Sequence, residues 1–214
     1  MIRVSELKWL FLLLFLSKTS LGQDKAYSVL LDDGPVYLEE KIIIDNKDKL
    51  TSDIINGQVY RLIQFNVIPS TLIHEKLKSL GISLIEYIPQ NAFVASIPAH
   101  LLPDQLFDLG VRSSIELPHS MKFLSRIKNE STLRMENKKG VASVVIKIHS
   151  GIDLAVAIAK ISNLINVEYI VSHSSLIYGS VKNRDLNKLS NNKYVRYIDL
   201  APEPGLPEHD FGRT

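Results

Sequence analysis

The chain contains no cysteine, and that absence removes three kinds of chemistry together: a disulfide framework, a thiolate metal site and a cysteine nucleophile. Six histidines are present, but His74, His100, His119, His149, His173 and His209 each stand alone, with no HxH or HExxH spacing and no pair on one helical face. Metal sites need several converging ligands, so no zinc or iron centre is expected. A glycine-rich phosphate loop is missing, as is the GxSxG elbow that would lift a serine towards a base. Carboxylates are scattered: Asp32-Asp33 and Glu39-Glu40 lie near the start, and Glu75 and Asp108 fall on solvent-facing helix positions. Nothing pairs two of them in a cleft for acid and base work. The aromatic residues fall at strand positions, where core packing accounts for them better than base stacking. The expectation is a chain with no catalytic, metal-ligating or cofactor-binding residue and no cofactor.

Surplus charge is also lacking once the N-terminus is considered. Arg3 and Lys8 precede the apolar run WLFLLLFL at residues 9–16, which gives way to the small-residue pattern SLG at 20–22. This is the order of a secretory signal peptide, too short to span a bilayer, with cleavage expected before Gln23. Its removal lowers the basic count from 25 to 22 and the acidic count from 23 to 22. The mature chain is formally neutral, so neither a nucleic acid nor an anionic membrane is indicated as partner. A secreted or periplasmic location follows.

What remains is regular. Residues 23–56 offer an extended lead-in or edge hairpin around an Asp-Gly-Pro turn, poor in core residues. YRLIQFNV then places Arg61, Ile63, Phe65 and Val67 on one face of a strand and Tyr60, Leu62, Gln64 and Asn66 on the other. PSTLIHEKLKSLG is an amphipathic helix, with Ser70 or Thr71 as N-cap, Ile73, Leu77 and Leu80 as its stripe and Gly81 as its stop. ISLIEYI and AFVASI form a hairpin across Pro89, Gln90 and Asn91. Leu102, Leu106 and Leu109 mark a second helix with Pro103 in its first turn, and VRSSIEL closes the unit as a strand. The order is βαββαβ, the ferredoxin-like plan of an antiparallel sheet with helices on one face.

The same order recurs, more weakly, over residues 141–201. There Leu154, Ile158, Ile161 and Ile165 form the stripe of a helix, RDLNKLSN reads as a short helix, and YVRYIDL ends the unit. Val111-Arg112 answers to Val195-Arg196, and Ile115-Glu116-Leu117 to Ile198-Asp199-Leu200 one residue out of step, the pattern of a tandem duplication. His149 and His173 fall on neighbouring candidate strands, where satisfied or solvent-edge imidazoles account for both. The expected fold is α+β: signal peptide 1–22, lead-in 23–56, first ferredoxin-like unit 57–120, charged solvated linker 121–140, second unit 141–201 and a proline-rich extended tail 202–214. The linker carries a glycosylation triplet at Asn129-Glu130-Ser131.

Ordered domains without catalytic apparatus point to binding. The helix-free face of the first unit is the expected docking surface. The tail, with Pro202, Pro204 and Pro207, suits a segment added as a strand to a partner's groove, and a plain linker fits it equally.

The run YRLIQFNVIPS…LKSLGISLIEYIPQNAFVASIPA…LLPDQLFDLGVRSSIEL, continued by YVRYIDLAPEPGLPEHDFGRT, resembles the pre-catalytic region of secreted subtilisin-like (S8 class) serine peptidases of Bacteroidetes type. The resemblance covers residues 57–214 and is more specific in the first unit than in the second. It implies tandem propeptide-type ferredoxin-like domains that act as intramolecular chaperone and inhibitor of an Asp-His-Ser catalytic domain, in cis or in trans. In that family the catalytic domain would follow Thr214, so the resemblance carries no triad residue onto this chain. A free-standing periplasmic or cell-surface interaction module is the alternative from another functional class.

Overall fold

The computed structural model describes residues 27–31, 34–44, 53–123 and 140–201. The expected signal peptide, Asp32-Asp33, the glycosylation triplet, most of the expected linker and the tail with His209 lie outside the described residues. The elements run β1 (Ser28–Leu31), β2 (Gly34–Tyr37), β3 (Gln58–Phe65), α1 (Thr71–Ser79), β4 (Ser83–Ile88), β5 (Ala92–Pro98), α2 (Pro103–Phe107) and β6 (Val111–Glu116). They continue with β7 (Val141–Ile148), α3 (Leu154–Ile161), β8 (Ile165–Val171), β9 (Leu176–Lys182), α4 (Leu186–Ser190) and β10 (Val195–Leu200). The fold is α+β, with one two-stranded and two four-stranded sheets, ordered β6-β3-β5-β4 and β10-β7-β9-β8, all pairs antiparallel. Among the described residues no helix is long and apolar enough to cross a membrane.

Local chemistry explains the helix ends. Ser70 Oγ accepts from the Ile73 N–H, Lys76 and Lys78 sit in the last turn of α1 where the helix dipole favours them, and Gly81 leaves it at φ +78°. Asp153 caps α3 by accepting from the N–H groups of Ala155 and Val156 at 2.8 and 3.2 Å. In the β4–β5 connection both Gln90 and Asn91 adopt left-handed φ, 73° and 58°, so the turn asks more of Gln90 than its sequence suggested. Two stripes read differently from expectation. Leu102 is exposed and Leu101 takes the buried place above Leu106 and Leu109. α3 ends at Ile161, so Ile165 opens β8 instead of extending the helix.

The two sheets differ in what covers them. In the first, Val59, Ile63, Phe93, Ala95 and Ile97 pack under Leu77 of α1 and Leu106 of α2. The opposite face, built from the cross-strand pairs Tyr60–Ser96, Leu62–Val94 and Gln64–Ala92, was expected to be open. It is filled. The β1–β2 hairpin lays Val29 and Leu31, with Leu38 beyond it, on Leu62 and Ala92, and the second unit closes over Tyr60. Hence every residue of β5, and every residue of β3 after Gln58, is buried, against the alternation of a one-sided antiparallel sheet. The lead-in is therefore core-forming and not merely an extended edge.

The second sheet keeps that alternation. Ala142, Val144, Ile146 and Ile148 of β7 enter the core beneath α3 and α4, while Val141, Ser143, Val145 and Lys147 face the other way. On that other face the register lines up Asp199, Val145, Tyr178 and Tyr169 in one row and Tyr197, Lys147, Leu176 and Val171 in the next. All of these are partly or fully exposed.

A repeat deeper than the strand order links the units. Each last strand carries a bulge at its Val-Arg pair: β6 skips Arg112 between Val111 and Ser113, and β10 skips Arg196 between Val195 and Tyr197. Each last strand also accepts an upstream segment in parallel on its outer edge, through the bridges Ile42–Ser114 and Phe123–Ile198. Each skipped arginine then donates to a carbonyl just before that segment, Arg112 to Leu38 O at 2.8 Å and Arg196 to Met121 O at 3.1 Å. The Val-Arg match thus holds in three dimensions. Its register makes Ile115 the counterpart of Asp199 and Glu116 that of Leu200, in place of the one-residue offset read from the sequence. Ile115 packs against the hairpin core, whereas Asp199 looks onto the open face. Lys122 and Phe123, assigned by sequence to a solvated linker, belong to the second unit's edge, and Phe123 is buried.

Candidate functional site between the two units

The same equivalence exposes an anomaly. Arg61 of β3 pairs with Glu116 of β6 at the position where β7 and β10 pair Val144 with Leu200. A charged pair stands where the second unit has two core aliphatics. Arg61 is only 1% exposed. Its Nη1 donates to Asp53 Oδ2 at 2.6 Å and to Tyr60 O at 2.9 Å, while Nε and Nη2 have no hydrogen-bond partner.

Arg61 borders a cavity of about 390 Å³ between the two units. Tyr60 and Glu116 enter it from the first sheet, His119 and Lys122 from the connecting segment, and His149, Asn191 and Lys193 from the second unit. Tyr60 is the hinge of this contact: its hydroxyl donates to Ser150 O at 2.7 Å and its ring stacks on His149 at 4.0 Å between centroids. Burial raises the Tyr60 phenol above its ordinary value, against the opposing Ser96 hydrogen bond, so it remains a donor. Lys122 donates to Val195 O, and burial, helped by the Arg196 charge, lowers its ammonium to about 8. Arg196 itself reaches from β10 to Glu86 of β4 at 2.6 Å.

His149 is 2% exposed, with an unpartnered Nδ1. Burial first, then the charges of Lys122 and Arg196, hold it well below the usual imidazole range. The native state therefore keeps His149 neutral, whereas the unfolded chain protonates it below about pH 6.5. Stability is full above that value and falls as pH drops through it, with a slope approaching about 1.4 kcal/mol per pH unit. Thermal melts between pH 7 and 5 should show this slope, and His149→Gln should flatten it. An unchanged slope in the variant would assign the acid sensitivity elsewhere.

His149 thus stacks on Tyr60 in the interior, while His173 is exposed in the 3-10 turn Ser172–Ser174. Glu75 and Asp108 are exposed, as their helix positions suggested, and His74 and His100 are exposed as well. Among the described residues no group of three or more His, Asp or Glu converges on a metal position. A serine–histidine contact does occur, Ser190 Oγ with His119 Nε2 at 3.3 Å. The Ser190 hydroxyl is fully buried and donates to Asn187 O at 3.0 Å, which makes it a helix-end hydrogen bond and not an activated nucleophile. Sequence reasoning missed Arg61, Lys122 and His119 as site residues. The available signal was a lone arginine on the apolar, alternate face of a strand.

A family model described as a domain of unknown function (DUF8729) matches residues 28–118. No curated protein and no solved structure matches the chain. The matched span opens at the first residue of β1 and closes just past β6. It thus takes in the hairpin, the edge segment and the first four-stranded sheet, the parts that fill one another's faces. Arg61 and Tyr60 fall inside it, and Lys122 and His149 outside.

Proposed function

We propose that the chain is the non-catalytic, propeptide-type region of a secreted subtilisin-like serine peptidase, built from two ferredoxin-like units, and that it assists folding of the catalytic domain and then inhibits it. The βαββαβ order with strands arranged last-first-third-second in each unit supports the ferredoxin-like reading. The observation that carries the function is the contrast between the two helix-free faces. The first is consumed internally, so the expected docking surface moves to the second. There Tyr169, Tyr178 and Tyr197 with Val145 and Leu176 form an apolar platform with polar tips, the composition favoured at interfaces. This face belongs to the unit that leads directly into residues 202–214. A sheet surface offered to a slowly folding catalytic domain stabilises it by binding, and the same binding afterwards blocks the groove.

The mature chain added in trans should slow a subtilisin-like catalytic domain encoded with it, and Tyr178→Asp should weaken that inhibition by about tenfold or more. Undiminished peptide turnover at saturating amounts of the chain would sink the proposal. The filled first face favours one second reading, an exported interaction module in which the first unit is a closed spacer and the second face holds a different partner. Capture of a non-peptidase partner that Tyr178→Asp abolishes, with turnover untouched, is the outcome that selects it.

A further inference from the structure

We infer that the contact between Tyr60 and the loop at His149 is an acid-released latch: lowering the pH parts the two units while each keeps its own sheet and core. Among the buried side chains described, His149 is the one that can change charge between pH 7 and 5. It lies where the units meet. Its ring stacks on Tyr60 with 4.0 Å between centroids and 23° between planes, and the Tyr60 hydroxyl donates to the carbonyl of the next residue, Ser150. One side chain of β3 thus holds both the imidazole face and the loop that carries it. The charges that act on His149 are those of Lys122 in the connecting segment and Arg196 in β10, both positive. Arg61 of β3 and Lys193 after α4 bring two more cations to the adjoining cavity. Of the carboxylates, Asp53 binds Arg61, Glu86 binds Arg196, and Glu116 of β6 borders the cavity. His119 borders it too, but it is exposed and so stays in water whether the units are joined or parted.

Burial keeps the joined imidazole neutral, with the two cations adding to it and one backbone hydrogen bond at Val195 opposing. Protonation therefore requires an opening that brings water to the ring, and lifting Tyr60 away is the smallest one. Little else joins the units. Ile55 is buried in the second unit's core, Ile85 and Leu117 pack partly against it, Lys193 Nζ donates to Ile54 O at 2.9 Å and Arg196 Nη2 to Glu86 at 2.6 Å. No sheet is shared, and contacts of this kind between domains open more readily than the domains melt. Because the parted state takes the proton below about pH 6.5 and the joined state does not, the opening constant is flat above that value and rises about tenfold per pH unit below it.

The test uses the full chain with Lys78→Cys and Lys188→Cys, one exposed position on each unit, so that a donor and an acceptor dye sit on its only thiols. Single-molecule energy transfer should resolve a joined and a parted population. The parted one should rise about tenfold from pH 6 to pH 5 and return on neutralisation, while amide protection persists in β3, β5, β7 and β9. His149→Phe, which keeps a stacking ring and cannot take the proton, should abolish the rise. Tyr60→Phe, which keeps its ring and loses the bond to Ser150, should enlarge the parted population several-fold at every pH and leave its pH dependence unchanged. If His149→Phe does not fold, that second variant decides. A parted population indifferent to pH, a full rise in His149→Phe, a Tyr60→Phe population equal to wild type, or loss of protection in β7 and β9 in step with parting would overturn the inference.

Discussion

Replacing Gly179 with alanine is expected to lower stability by about 3 kcal/mol and the melting temperature by roughly 10 °C. Gly179 lies in the middle of β9 with an ordinary strand φ, so the expected loss is not a matter of backbone freedom. It comes from approach. A methyl group there would lie 2.3 Å from Asn166 O and 3.0 Å from Ile165 Cδ1, on the neighbouring strand beside the register shift between Val167 and Tyr169. The offended atom is a backbone carbonyl of β8, which cannot rotate aside as a side chain would, so the alanine must push β8 away from β9. Hydrogen exchange should accelerate at the amides of β8 before those of the first unit respond. A Gly179→Ala protein that melts within about 2 °C of wild type would mean that the two strands are not this close.

Arg112→Ala is expected to cost about as much and to act at the other end of the molecule. The Arg112 guanidinium donates to Leu38 O and to Gln64 Oε1 at 2.8 and 2.9 Å and lies 3.8 Å over the Tyr27 ring. Charged hydrogen bonds are each worth about 1.5–3 kcal/mol, and a desolvated cation over an aromatic ring about 1–2 more. Truncation strands the Leu38 carbonyl and the buried Gln64 amide, so a loss of about 3 kcal/mol or more is expected. It also unpins the β1–β2 hairpin from the sheet that it covers. The variant should therefore bind a hydrophobic dye and lose exchange protection in β1 and β2, and Arg112→Lys should rescue it only in part: both hydrogen bonds leave from Nη1 alone, but an ammonium lacks the flat guanidinium that lies over the Tyr27 ring. Arg196→Ala is the control: its guanidinium holds Met121 O and a half-exposed Glu86, so the cost should be smaller and the hairpin should stay protected. Equal hairpin protection in Arg112→Ala and wild type would show that apolar contact alone seats the hairpin.

Elements fixed by neighbours in the chain were legible from sequence. Ser70 and Gly81 bound α1, Pro89 to Asn91 turn the hairpin, and each strand of both units lies close to where alternation puts it. What alternation cannot say is what covers a face. Tyr60, Leu62 and Gln64 were correctly grouped on one side of β3, but their burial depends on Val29 and Leu38 far upstream and on the loop at His149 far downstream. The site suffered from the same non-locality. Arg61 was seen as one member of a strand face, and its oddity appears only when three-dimensional register sets it against Val144. Lys122 and Phe123 look like linker because Phe123 and Leu124 open a stretch rich in charge, with Arg126, Lys128 and Glu130 close behind them. Their partners, Val195 and Ile198, come about seventy residues later.

The parallel segments beside β6 and β10 have a consequence for synthesis. An outer strand with bare N–H and C=O groups invites pairing with a second chain, and the risk is greatest while a protein is still incomplete. In both units the segment that blocks this outer strand precedes it in the sequence: residues 41–43 are made before β6, and 122–123 before β10. Each closing strand therefore emerges from the ribosome into a slot whose two walls already exist, the first strand on one side and the blocking segment on the other. The molecule can close one unit at a time from its N-terminus, and neither closing strand has to wait for chain that has yet to arrive.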